Sequence, residues 1–259
     1  MNPTSIKEII NTNRPFKYGE YIGKGFELFG KNAGNFAAFS LLSVVIMSFA
    51  GSIPFIGAIS SRYLLVPTLT AGFYIVAHQL NIGERTEFGD HFLGFQHLVR
   101  LALAGLAISL ITTAATVPFL VANGNLINWS WELKELGTTF DFDVAIETFP
   151  GFSAWTFLLF LPMIYLGIAY SWTSQFIIFH HLSVWDAMEA SRQLITKHWF
   201  VYFLFLITII LIGFGGLAGL LVGVFFTYPI MLCINYAAFA DLTGLDRVEV
   251  EEYVDIYVK

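Results

Sequence analysis

Apolar positions in this chain run on for the length of a membrane crossing instead of alternating at the period of a strand. A helix rises about 1.5 Å per residue, so roughly 20 apolar residues cover a hydrocarbon core of about 30 Å. Six stretches reach or approach that length: Phe36 to Ala58, Leu64 to Leu80, Leu101 to Val121, Ser153 to Phe179, Trp199 to Ala218 and Val222 to Ala240. The last two come from one uncharged run of 42 residues, Trp199 to Ala240, too long for a single tilted helix. Gly213, Gly215, Gly216, Gly219 and Gly223 mark the reversal between them, and the Gly215/Gly219 and Gly219/Gly223 spacings also suit close helix contact.

Before each pair of spans the pattern changes to that of an amphipathic helix. In the first such segment Lys17, Glu20, Lys24, Glu27 and Lys31 recur at steps of three and four, opposite Ile22, Phe26 and Phe29. In the second, Phe88, Phe92, Phe95, Leu98 and Val99 are set against Asp90, His91 and Gln96. In the third, Ser183 and Asp186 are spaced as a helix cap, and Trp185, Met188, Leu194 and Ile195 oppose Asp186, Glu189, Gln193 and Lys197. Sliding the chain by 162 residues superposes Glu27 on Glu189, Gly51 on Gly213, Gly57 on Gly219, Pro67 on Pro229, Tyr74 on Tyr236 and Leu80 on Leu242. The pattern therefore predicts an all-α, multi-pass transmembrane helical bundle, with six spans arranged as three modules of amphipathic helix plus hairpin. A single membrane domain over 1–259 is expected: residues 1–35 as an N-terminal segment, 36–240 as the six spans and 241–259 as a short acidic tail. These are parallel repeats; inverted repeats with broken helices, a common transporter plan, are not expected.

Composition agrees with a bilayer as solvent. Charged residues make up 12% and apolar ones 56%, whereas soluble domains carry roughly a quarter charged. The formal charge of -6 argues against nucleic acid as a partner, since that needs a basic stripe. Basic residues give the orientation. Lys7, Arg14, Lys17, Lys24, Lys31, Arg85, Arg100, Arg192, Lys197, Arg247 and Lys259 fall on one side of the predicted spans, and only Arg62 and Lys134 on the other. Both termini are therefore expected in the cytoplasm. The polar start, MNPTSIKEIINTNRPFKYGE, does not read as a signal peptide, so the first span is expected to direct insertion.

The stretches FELFGKNAGNF, LSVWDAMEASRQLITKHWFVYF and FFTYPIMLCINYAAFADL give the chain a further likeness. It resembles the bacterial multi-pass membrane families of unknown function that include the membrane domain found beside glycerophosphodiester phosphodiesterases. The resemblance implies a six-helix fold in a cell (inner) membrane and carries no catalytic residues.

No Asp, Glu, Lys or Arg lies within the six spans, which speaks against ion-coupled transport. Uncharged polar residues do occur there. Thr112, Thr113 and Thr116 in the third span, Ser171, Thr173, Ser174 and Gln175 in the fourth, and Asn235 in the sixth either bond neighbouring helices or line a polar path. The path's candidate residues are Thr112, Thr116, Ser174, Gln175 and Asn235. His78, His91, His97, His180, His181 and His198 have no metal-ligand spacing, and no metal or cofactor is expected. Phosphate-loop, zinc-helix and nucleophile-elbow motifs are absent, and Cys233 in an apolar run is a poor nucleophile, so no catalytic residue is assigned. Asn128-Trp129-Ser130 is formally a glycosylation sequon. Glu132, Glu135, Asp141, Asp143 and Glu147 form an acidic loop, and Val248, Val250, Val254, Ile256 and Val258 alternate with polar residues in the tail, as in an added strand. Three functions remain in view. The first is a non-catalytic scaffold or accessory component acting on membrane lipids, a membrane-protein partner or a second copy. The second is an uncoupled permease or exporter for a neutral or lipid-like solute. The third is a lipid-modifying enzyme using His180, His181 and His198.

Overall fold

The computed structural model describes residues 14–54, 56–125, 128–129, 146–149, 151, 154–218 and 222–245. The acidic residues 132, 135, 141 and 143, the third position of the sequon and the alternating tail lie outside them.

The regular elements among the described residues are all helical, in the order α1 (Tyr18–Lys31), α2 (Ala33–Gly51), α3 (Ile56–Ser60), a π turn (Ser61–Leu65), α4 (Val66–Asn81), a 3-10 helix (Phe88–His97), α5 (Leu98–Ala122), a second 3-10 helix (Ala154–Phe160), α6 (Leu161–Ala169), α7 (Thr173–Phe179), α8 (Val184–Lys197), α9 (Trp199–Ala218) and α10 (Val224–Thr243). Six runs are long and apolar enough to cross a membrane: Ala33–Gly51, Ser61–Asn81, Phe88–Ala122, Trp155–Phe179, Trp199–Leu217 and Val224–Thr243. The chain is a multi-pass membrane protein of the all-α class. The first span ends at Gly51, short of Ala58, because the chain turns there through Ser52, Ile53 and Pro54 before α3 begins.

Contacts divide the chain into two compact units, one within 1–106 and 169–259, the other within 107–168. In the larger unit the modules interlock in a cycle. The amphipathic helix of each packs on the second span of another: α1 on α10, the 3-10 helix Phe88–His97 on α4, and α8 on α7. Those three spans also meet one another. Helix α4 packs on both α7 and α10, and Phe176 of α7 meets Phe239 of α10 edge to face at 5.0 Å. Glycine permits these dockings. A Cβ on Gly25 would strike the Ile234 backbone, one on Gly72 the His91 carbonyl, and one on Gly94 the Thr68 carbonyl.

The amphipathic faces sit differently from the pattern. Helix α1 buries Tyr21, Gly25 and Leu28 while Phe26 is exposed, because the seam follows the glycine that allows close approach. Helix α8 buries Ala187, Met188, Ala190, Ser191, Leu194 and Ile195 and leaves Trp185 exposed. The middle element is a 3-10 helix that buries His91 and Gly94, with Phe88 and Phe92 partly exposed. Its start carries a capping box, in which the Glu87 amide donates to Asp90 Oδ2 at 2.7 Å. The expected Ser183 cap forms: its Oγ accepts from the Asp186 amide at 3.2 Å.

The internal repeat needs two registers. Helices α1 and α2 map onto α8 and α9 with Lys31 on Lys197 and Ala33 on Trp199, whereas α4 maps onto α10 with Asn81 on Thr243. The pairings Glu27/Glu189 and Gly51/Gly213 are thus off by four residues, about one helical turn. At the C-terminal ends of α4 and α10 the offset is 162, that of Pro67/Pro229, Tyr74/Tyr236 and Leu80/Leu242, whereas the starts, Val66 and Val224, are 158 apart. Close contact between α9 and α10 falls at Gly216 and Gly223; of the glycines at the expected contact spacing, Gly223 takes part, Gly215 has open space around it and Gly219 lies outside the described residues.

In the smaller unit, Asn123 closes the α5 end. Its amide and its side chain both donate to the Phe119 carbonyl, Thr156 Oγ1 donates to its Oδ1 at 3.4 Å, and Phe119 packs on Phe160 at 3.9 Å.

Candidate functional site

The polar residues of the spans separate into two groups. Thr112 and Thr116 turn their hydroxyls back onto their own helix, donating to the carbonyls of Ile108 and Thr112 at 2.8 Å each, a bond that spares a threonine from needing any other partner. Gln175 and Asn235, 60 residues apart in sequence, come together instead. Asn235 Oδ1 accepts from Gln175 Nε2 at 2.9 Å and from Trp172 Nε1 at 2.7 Å, and Asn235 Nδ2 donates to Tyr202 Oη at 3.4 Å. Tyr202 Oη in turn shares a hydrogen bond with Ser171 Oγ at 2.8 Å. Ser174 is half-buried and, among the described residues, has no bond in this cluster.

The same cluster holds an unexpected break in the fourth span. Helix α6 stops at Ala169 and α7 resumes at Thr173. Interrupted backbone inside a membrane protein must find partners within the protein. Ser191 of α8 supplies them: its Oγ donates to the Ala169 carbonyl at 2.7 Å and accepts from the Trp172 amide at 3.1 Å. Ser191 was not singled out by pattern because a serine on the apolar face of an amphipathic helix reads as a weak spot.

The open space lies elsewhere. A cavity of about 410 Å³ is bounded by Ser40, Ser43, Val44, Met47 and Ser48 of α2, by Val66, Leu69, Thr70 and Phe73 of α4, and by Val224, Phe225 and Tyr228 of α10. Its walls are mostly apolar, and the exposed Val44, Ser48 and Val66 put its mouth on the side of the bundle. Ser40 is seven residues into α2, so it lies about 10 Å from that helix end. Tyr228 shares a hydrogen bond with Thr70 Oγ1 at 3.2 Å and packs edge to face on Phe73 at 5.6 Å. The Ser40 and Ser43 hydroxyls, buried in this wall, have no hydrogen-bond partner among the described residues. An unpaired buried hydroxyl costs about 1–3 kcal/mol, and a bound acceptor would recover it. None of the sequence-derived path residues lines this cavity. Three serines on one helix were the available signal, masked by the apolar run around them.

The six histidines are spread out. His91 is enclosed by Phe36, Phe39, Phe73 and Phe88. His78 Nδ1 bonds Tyr236 Oη at 2.7 Å, and His97 stacks on His181. Among the described residues no three His, Cys, Asp or Glu side chains gather as a metal set, and Cys233 is buried.

At the α1 end, charges are paired. Lys24 and Lys31 both reach Glu27 and hold its carboxyl below the usual range, and Arg192 does the same for Glu189. Asp241, at the end of α10, receives Tyr21 Oη at 2.8 Å and Lys17 Nζ at 3.5 Å, while Arg14 donates to its carbonyl. Burial pushes the Tyr21 hydroxyl up, so it stays a neutral donor.

No protein-family model, curated protein or solved structure matches the chain.

Proposed function

We propose that this protein is a non-catalytic accessory component of a membrane that holds a lipid-like molecule in the lateral cavity between α2, α4 and α10. The observation that carries the reading is the cavity itself: it is apolar, opens sideways and contains two buried serine hydroxyls without partners. Such a site favours a mainly apolar guest with a hydrogen-bond acceptor along its length. The polar cluster around Asn235 supports the same reading from the other direction, because its members bond one another instead of facing open space. The placing in a cell (inner) membrane with both termini cytoplasmic rests on the resemblance and on the skew of basic residues. Fusing a compartment-sensitive reporter to each terminus tests it.

Purification of the full chain in mild detergent, followed by mass spectrometry of extracted small molecules, tests the function. Wild type should carry a near-stoichiometric apolar guest, and Val44→Trp, which fills the mouth, should lose it. Equal guest content in both proteins would defeat the proposal.

A second reading, an uncoupled permease for a neutral or lipid-like solute, draws on the interruption between α6 and α7, since discontinuous helices are frequent in transporters. Reconstituted vesicles with a flux above protein-free controls would favour it. The hydrogen bonds of Ser191 across the break make it the weaker of the two.

A further inference from the structure

Three basic side chains gather where the 3-10 helix Phe88–His97 passes into α5. The rings of His97 and His181 stack with centroids 6.1 Å apart and planes inclined by 25°. Arg100 follows three residues on, at the head of α5, and lines the same cleft as His97. A cleft of about 490 Å³ lies against His97 and Arg100, bounded by residues 95–100, with no acidic residue in its wall; His181 joins it through its ring contact with His97.

The cluster lacks the neutralisation seen in the other amphipathic segments. Lys24, Lys31 and Arg192 each have a glutamate within ion-pair distance. Among the described residues, Arg100, His97 and His181 have none. The acid of the same 3-10 helix, Asp90, is seven residues back, about 14 Å at the rise of such a helix, and is engaged in the capping box with Glu87. His181 adds a second sign of constraint. Its φ of 52° makes it the one left-handed non-glycine residue among those described, and that backbone carries the ring stacked on His97. A glycine would fit there without strain, so the side chain present is the one that completes the basic cluster.

We propose that His97, Arg100 and His181 form an anion site that takes a phosphate group, either that of an anionic lipid headgroup or free phosphate. The guanidinium presents a planar fork that matches two phosphate oxygens, and imidazole N–H groups add donors beside it. Leu98 and Val99 border the same cleft, and Val99 is exposed, which gives acyl chains an apolar surface next to the charge. The site shares no residue with the lateral cavity, so each stands or falls separately.

The test uses the full chain in detergent, offered phosphatidic acid and phosphatidylcholine in equal amounts and read by native mass spectrometry. Wild type should retain phosphatidic acid preferentially. His97→Asn with Arg100→Gln should reduce that preference about tenfold, the effect of losing one or two charge-assisted hydrogen bonds. Arg100→Lys should keep part of it. All three positions are at least partly exposed, and an unchanged thermal midpoint verifies that each variant is folded. Inorganic phosphate is the second arm: displacement of the lipid at similar concentrations identifies free phosphate as the ligand, and no displacement identifies the headgroup. Retention of the same preference by the double variant, or binding of neither lipid nor phosphate by wild type, overturns the proposal.

Discussion

Helices α4 and α10 and helices α2 and α9 belong to the same hairpins yet differ in opposite directions in burial and hydropathy. Within Ser61–Asn81 and Val224–Thr243 half of the residues are buried, at mean hydropathies of 1.2 and 1.3. Within Ala33–Gly51 and Trp199–Leu217 only 22% are buried, at 1.8 and 2.5. In water the more apolar helix would be the inner one. In a bilayer the surroundings are as apolar as leucine, so nothing drives apolar side chains inward. Small and polar residues go to the centre instead, where glycines let backbones touch and amides find partners. Stability in the inner helices should thus depend on fit and hydrogen bonds, and the outer helices should tolerate change.

The sharpest test exchanges one glycine in each class. Gly72→Ala places a methyl group on the His91 carbonyl and should cost about 3 kcal/mol or more by overpacking, read as a lower thermal unfolding midpoint in detergent. Gly34→Ala in α2 meets open space and should be neutral or stabilising by up to about 1 kcal/mol. Equal losses from the two would break the comparison.

Acid should act next, at a buried side chain just past the end of α7. His180, at the end of α7, is buried, and that burial lowers its pKa to about 4 from an ordinary value near 6.5. The unfolded chain takes up a proton that the folded one refuses. Its contribution is therefore fully present above about pH 6.5 and declines as the pH falls towards 4, by up to about 3 kcal/mol. His180→Gln should flatten that slope in an unfolding series from pH 7 to 4. His198, ahead of the outer helix α9, is also lowered by burial, and His198→Gln should flatten it less.

A smaller effect is expected at Asn235→Leu. It leaves Trp172 Nε1 and Gln175 Nε2 without their shared acceptor and should cost about 1–2 kcal/mol by the same unfolding assay. At the low end, Phe49→Ala on α2, with the ring 75% exposed, should shift stability by less than about 0.5 kcal/mol. A large loss there would mean that α2 is covered by protein instead of lipid.

Much of this architecture is legible in the amino-acid sequence, and the illegible parts share a cause. Span length is a one-dimensional property, so Trp199–Ala218 and the C-terminal end Phe179 can be read directly from hydropathy. Which face of α1 turns inward depends on what it meets. Gly25 decides that seam only because Ile234 comes to it from more than 200 residues away. The turn between α6 and α7 depends likewise on Ser191, whose role exists only once α8 is docked. The cavity is harder still, because space is a property of three helices together. The lower hydropathy of the second and sixth spans marks them as inner once lipid rather than water is taken as the solvent.

The cyclic docking of the modules also sets an order of events during synthesis. The 3-10 helix Phe88–His97 can settle on α4 soon after emerging, and α8 follows α7 within a few residues. Helix α1 is the first of these three amphipathic helices to be made, yet its seat on α10 appears about 200 residues later, roughly 10–40 s at ordinary rates of translation. Until then α1 has α2 and α4 to pack on, and Tyr21 lacks Asp241. The first of the described amphipathic helices is thus the last to be seated, and the ring of dockings closes only when α10 is in place.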